Sequence, residues 1–144
     1  MHAEAAIPAI SSTTPAARST TAKWAARILM GLAVTFLAWD AAIKVLEHPM
    51  AVSGTTSLGY AANLPRPIGL VELACLVLYL VPRTAPLGAI LFTGYLGGAI
   101  ATHLRLGNPL FSHQLFPTYV AAMLWIPLYL RDARVRALLA SPPK

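Results

Sequence analysis

Four long apolar segments constrain this 144-residue chain more than any other feature. They cover residues 25–46, 67–81, 86–104 and 115–130. Each is a continuous apolar run rather than an alternation of apolar and polar residues, and in lipid a helix satisfies its own backbone hydrogen bonds. At about 1.5 Å per residue the first and third segments can cross a hydrocarbon core of about 30 Å, whereas the other two need flanking residues or local thinning. The predicted fold class is all-α, a four-transmembrane-helix bundle.

Composition agrees with a membrane location. Hydrophobic residues make up 57% of the chain and charged residues only 11%, against roughly a quarter charged in soluble domains. The net charge of +6 does not indicate nucleic acid, because the basic residues flank apolar segments instead of forming one stripe with exposed aromatics. The single cysteine, Cys75, excludes an internal disulfide and is expected to be a small buried hydrophobe.

The distribution of lysine and arginine predicts the orientation of the helices. With four spans, the N-terminal tail, the 82–86 turn and the C-terminal tail share one side of the membrane. That side carries eight basic residues and the opposite loops, 47–66 and 105–114, carry two. The eight are Arg18, Lys23, Arg27, Arg83, Arg131, Arg134, Arg136 and Lys144, and the two are Arg66 and Arg105. The positive-inside rule therefore places both termini in the cytoplasm of a bacterial-type inner membrane.

The remaining parts of the chain are short. Residues 1–22 are rich in Ala, Ser and Thr without a helical apolar period, which predicts a disordered cytoplasmic tail. A cleaved signal peptide is the competing interpretation, but the apolar run starts late and continues too long for one. Residues 23–139 form the predicted membrane domain, and 140–144 a short C-terminal tail.

Ionisable residues from three predicted helices fall at a similar height in the outer half of the bilayer. Asp40 and Lys44 lie in the last two turns of the first helix, Glu72 lies about five residues into the second, and His103 ends the third. The four-residue spacing lets Asp40 and Lys44 pair. A lone carboxylate in lipid is costly, so Glu72 is expected to pair with Lys44 across the helix interface or to be protonated. These four residues are the candidate polar site.

The same cluster has a purely structural interpretation. An ion cluster inside the membrane can lock helices together, and Asp40 and Lys44 can extend toward the interface. His103 by itself, at a helix end, needs no special role. No catalytic motif, phosphate loop or metal-spaced His/Cys cluster is present, and His48 and His113 are expected in loops, which argues against a bis-histidine haem.

Two further features concern packing. The third segment contains Gly94, Gly97 and Gly98, small residues that let helices approach closely in lipid. We expect them to pack within the chain, with a homodimer as the alternative. The 47–66 loop is moderately apolar and is expected to cover the polar site from the outer interface, with Tyr60 as its anchor.

Several stretches resemble the DoxX-like family of small four-helix membrane proteins. They are WDAAIKVL (39–46), SLGY (57–60), the long run 67–111 that includes PRTAPLGA and GGAIATHLR, and LYLRDARVRAL (128–138). Asp40 and Lys44 match the family pattern in the first helix, and Ala41 stands where that pattern has a glycine.

The resemblance implies a membrane protein that accompanies redox enzymes. The expected function is that of an accessory, non-catalytic subunit of a quinone-linked membrane redox system, with a membrane or periplasmic redox protein as partner and a quinone as the candidate cofactor. In this interpretation Lys44 donates to a quinone carbonyl and Glu72 or Asp40 exchanges a proton. Two alternatives stay open: a non-catalytic membrane scaffold or chaperone, and a small proton-linked transporter.

Overall fold

The computed structural model describes residues 20–139, all of whose regular elements are helices. In chain order these are α1 (Thr20–Val45), α2 (Pro49–Ser57), α3 (Pro65–Leu80), α4 (Ala85–Arg105), a single π-helical turn (Leu110–Gln114), α5 (Phe116–Arg131) and α6 (Ala133–Leu139). The all-helical part of the prediction is confirmed. Helices α1, α3, α4 and α5 correspond to the four apolar segments, with most ends within two residues of the expected positions.

Two features differ from the sequence expectation. Helix α1 begins at Thr20, so it takes in the last residues of the predicted tail, while residues 1–19 and 140–144 lie outside the described part. The 47–66 segment is not only a loop, because it contains α2. That helix starts with Pro49, and the His48 ring nitrogen Nδ1 accepts a hydrogen bond from the Met50 amide at 3.3 Å. A proline at the first helical position and a side-chain cap are both strong helix-start signals.

The four long helices enclose a common core. Helix α1 packs against α3 and α5, and α4 packs against the same two helices. The largest fully buried side chains are Leu37 of α1, Tyr79 and Glu72 of α3, Phe92 of α4, and Leu124 and Leu128 of α5. Tyr79 also donates a hydrogen bond from its hydroxyl to the Leu124 carbonyl at 2.8 Å. Burial of that polar group therefore leaves its donor satisfied.

A tight connection joins α3 to α4, as the short PRTAP turn predicts. The Thr84 hydroxyl donates to the Leu78 carbonyl at 2.8 Å and closes the turn. Gly88, in the first turn of α4, faces the backbone of Leu78 and Tyr79 so closely that a β-carbon there would overlap it. Glycine at this position allows the two helices to start side by side.

The outside of the helices is apolar on every side. Large hydrophobic side chains are exposed on each long helix, for example Trp39 of α1, Leu70 of α3, Ile90 of α4 and Ile126 of α5. An exposed apolar surface of this extent is unfavourable in water and suits lipid. Two helices in the described part, α1 and α4, combine the length and hydropathy needed to cross a bilayer.

Candidate functional site

The polar site is built around the ammonium group of Lys44, in the last turn of α1. Its Nζ donates to Asp40 Oδ2 at 2.5 Å, to Glu72 Oε2 at 2.9 Å and to the Tyr95 hydroxyl at 3.0 Å. The partners come from α1, α3 and α4. An ammonium group has three N–H donors, so every donor of Lys44 has an acceptor. The expected contacts of Lys44 with Asp40 and Glu72 are present, and Tyr95 is an addition.

Glu72 is the most enclosed member of the cluster. Its side chain is 0% exposed, against 25% for Asp40. The Tyr95 hydroxyl donates to Glu72 Oε2 at 2.8 Å, so this oxygen has two donors. The other oxygen, Oε1, is buried without a hydrogen-bond partner among the described residues. A buried polar atom without a partner is costly, so Oε1 is a position where a further hydrogen-bond donor would be favourable.

A glycine in α3 makes this arrangement possible. A β-carbon on Gly69 would lie 2.6 Å from Lys44 Cβ and 2.9 Å from the Val45 amide nitrogen. Both distances are below van der Waals contact, so only a residue without a side chain fits. Ala41 of α1 is fully buried at the same crossing. Helices α1 and α3 therefore approach closely at this crossing, with alanine on α1 and glycine on α3.

A cavity of about 270 Å³ lies next to the cluster. It is bounded by side chains of α1, of the 49–68 region and of α4, namely Lys44, Thr55, Leu58, Tyr60, Ile68, Tyr95, Gly98, Ala99, Thr102 and His103. Lys44 and Tyr95 belong to both the cluster and the cavity wall. The volume is close to the lower end of the range for small-ligand sites.

The segment between α2 and α3 is fastened over this cavity. The Thr102 hydroxyl donates to the Gly98 carbonyl at 2.9 Å, so in the 2.6 Å contact between Tyr60 and Thr102 the tyrosine hydroxyl is the donor. Arg105, the last residue of α4, donates to the Leu58 carbonyl at 2.8 Å. Tyr60 thus anchors the segment to α4.

His103 lines the cavity without touching the ion cluster. Its Nδ1 accepts a hydrogen bond from the Asn108 side-chain nitrogen Nδ2 at 2.8 Å, and its ring lies edge-on to His113 with centroids 5.6 Å apart. Because Nδ1 is an acceptor, the neutral ring carries its hydrogen on Nε2. The structure therefore places three of the four candidate residues together and puts His103 on a separate part of the same cavity.

The α4 glycines face open space within the described chain. A β-carbon on Gly94, Gly97 or Gly98 would meet nothing within 4 Å. The glycines that do allow close helix contacts are Gly69 and Gly88. Small residues permit a close approach only where another helix faces them, and the sequence does not reveal which face that is.

Sequence reasoning missed Tyr95 and Thr102. Both could have been found from helical spacing, because residues 95, 98, 99, 102 and 103 follow the i, i+3, i+4, i+7, i+8 pattern of one helix face. That face carries His103, so the choice of His103 as a candidate could have been extended to the polar residues on the same face. Cys75 is buried in the core, and no described His, Cys, Asp or Glu residues form a group suited to a metal ion.

Comparison with known proteins adds one match. A family model described as the DoxX-like family matches residues 28–127, a range that includes every member of the polar site. No curated protein and no solved structure matches the chain.

Proposed function

The chain belongs to the DoxX-like family and is a membrane protein, and from that premise we propose that all four long helices cross the membrane with both termini in the cytoplasm. The apolar exterior of α3 and α5 resembles that of α1 and α4, which supports a lipid environment for each helix. The π-helical turn and α5 follow one another with only Leu115 between them, and that residue has helical dihedral angles. The π-helical turn and α5 together are therefore about 30 Å long. Helix α3 has 16 residues and needs a locally thinner bilayer.

Within that bundle, the proposed role is that of an accessory subunit in a quinone-linked redox system of the bacterial inner membrane. A membrane or periplasmic redox protein is its proposed partner. The single observation behind this role is the junction of an ion cluster and a ligand-sized cavity at Lys44 and Tyr95. A buried ionisable cluster in a membrane protein is by default a candidate for function.

The residues around the cavity fit a quinone headgroup. Leu58, Ile68 and Ala99 supply apolar surface for a flat ring, and the His103 Nε2–H is a donor for a carbonyl oxygen. We propose His103 as the donor in place of Lys44, because all three N–H groups of Lys44 have acceptors within the protein. A bound quinone would supply the electron-accepting chemistry, with electrons from the redox partner.

The carboxylates have the proposed task of holding and passing a proton. Glu72 Oε1 accepts no hydrogen bond from the described residues, so it can take up a proton without breaking an existing hydrogen bond. Asp40 is partly exposed and shares Lys44 with Glu72, which links the buried carboxylate to the surface of the bundle.

The test is whether quinone accompanies the protein through purification in a mild detergent. Tyr95→Phe is the informative variant, because it keeps the ring but removes the hydroxyl that joins Lys44 to Glu72. We expect less quinone with Tyr95→Phe and with His103→Ala. Arg83→Ala, in the α3–α4 turn and outside the lining of this cavity, is the control and should keep the wild-type amount. Absence of quinone from the wild-type preparation would contradict the role.

One observation favours a second function, a non-catalytic membrane scaffold or chaperone. The three N–H groups of Lys44 are fully used in joining α1, α3 and α4, as expected of a structural lock. Under this alternative, Tyr95→Phe lowers the stability of the bundle in detergent while quinone content and ligand binding do not change. A loss of quinone without a loss of stability would argue against the scaffold.

A further inference from the structure

A second cavity, of about 360 Å³, lies at the opposite end of α1 from the ion cluster. It is bounded by the N-terminal part of α1 and the C-terminal part of α5. Three cationic side chains line it, Lys23, Arg27 and Arg131, together with Met30, Pro127 and Leu130. The cavity therefore combines three positive charges with an apolar floor.

The carboxylates of the described chain form ion pairs elsewhere or lie far away. Two of them bind Lys44, and Asp132 pairs with Arg134 at 2.8 Å. The fourth, Glu47, follows α1 at its other end, about 30 Å from Arg27 at the helical rise. No ion pair within residues 20–139 neutralises the three cations of this cavity.

Uncharged neighbours hold two of the cations in place. The Arg131 guanidinium donates to the Met30 sulfur at 3.1 Å and its central carbon lies 5.4 Å from the centre of the Tyr79 ring. Arg27 lies over the Trp24 ring at 5.2 Å. Contacts with rings and a thioether position a guanidinium without cancelling its charge.

We propose that this cavity binds the phosphate group of an anionic phospholipid. Arginine is well suited to phosphate because its planar guanidinium can donate two parallel hydrogen bonds. In the proposed orientation this cavity lies at the cytoplasmic side. Basic pockets between membrane helices at that side are typical sites for anionic headgroups. Next to the cavity, Trp24 and Ile28 are 58% and 60% exposed, so acyl chains have apolar helix surface to lie on. That surface favours a lipid over a soluble phosphate.

The experiment measures lipid retention by native mass spectrometry of the full-length protein in detergent. The probes are phosphatidylglycerol and phosphatidylcholine with identical acyl chains, and inorganic phosphate serves as a competitor. Wild-type protein should retain phosphatidylglycerol preferentially. Each cation removed should weaken this binding about five-fold, so Arg27→Gln is expected to lose about five-fold and Lys23→Gln/Arg27→Gln about 25-fold.

The matched control is Arg83→Gln, which removes the same charge in the α3–α4 turn, outside the lining of this cavity. It should retain phosphatidylglycerol as the wild type does, and Arg27→Lys should retain most of it. Circular dichroism of each variant establishes that the helices are intact, and Lys23→Gln, at an exposed position, is the substitute if Arg27→Gln does not fold. An equal loss in Arg83→Gln, no preference between the two lipids, or displacement by inorganic phosphate would overturn the proposal.

Discussion

Replacing Gly69 by alanine is expected to push α3 away from α1 at the point where the ion cluster forms. The new methyl group would lie 2.6 Å from Lys44 Cβ, 2.9 Å from the Val45 nitrogen and 3.0 Å from the Ala41 carbonyl oxygen. Two of these three neighbours are backbone atoms, so they cannot rotate out of the way. The helices must therefore separate, and the 2.9 Å contact between Lys44 and Glu72 must lengthen.

Two opposing effects set the size of the change. Overpacking by one methyl group in a tight interface costs about 1–3 kcal/mol. Alanine in place of glycine inside a helix returns about 0.5–1 kcal/mol. Gly31→Ala receives the second effect alone, because a β-carbon at Gly31 of α1 meets nothing within 4 Å. The expected difference between the two variants is therefore about 1–3 kcal/mol, with Gly69→Ala the less stable.

The free energy of unfolding can be measured by titrating denaturing detergent into mild-detergent micelles, with helix content as the signal. Both variants carry the same chemical change, so effects of the substitution on detergent binding largely cancel. Equal stability of Gly69→Ala and Gly31→Ala would refute the reasoning, since it would mean that α1 and α3 do not approach closely at this crossing.

Three further predictions use the same measurement. Lys44→Met should cost about 3–5 kcal/mol because it leaves a buried carboxylate unpaired, and adding Glu72→Gln should restore most of the loss; no restoration would contradict the pairing. Tyr79→Phe should cost about 1 kcal/mol through the loss of a buried hydrogen bond to a backbone carbonyl of α5, and an unchanged stability would argue against that bond. Hydrogen bonds from Arg134 lower the pKa of Asp132 from its ordinary value of 3.8 to about 2. The stabilising contribution of this carboxylate is present above pH 4 and is lost as the pH falls toward 2; Asp132→Asn should remove that pH dependence, and identical acid profiles of variant and wild type would contradict it.

The helical segments could be read from the sequence with little ambiguity. Long apolar runs bounded by proline and charged residues place α3, α4 and α5 within two residues of their observed ends. The membership in the DoxX-like family was also evident from the local motifs and is confirmed. Helix α2 was not predicted, because its nine residues carry no apolar period and its start depends on a single proline and a capping histidine.

The candidate site was only partly predictable. The pairing of Asp40 with Lys44 follows from their spacing on one helix, and the contact with Glu72 follows from a shared height and opposite charge. The involvement of Tyr95, and the separate position of His103, depend on how α4 is rotated about its axis.

What the sequence determined by itself is therefore where helices lie, that their surroundings are apolar, and which charges lie at similar heights. Only the tertiary structure decided which faces meet: that Gly69 and Gly88 form the close contacts, that Gly94, Gly97 and Gly98 do not, and that Tyr95 completes the cluster. The physical reason is that helices suited to lipid are apolar on all sides. Without a polar face turned to water, hydrophobic periodicity does not indicate how each helix is rotated, and packing alone selects the contacts.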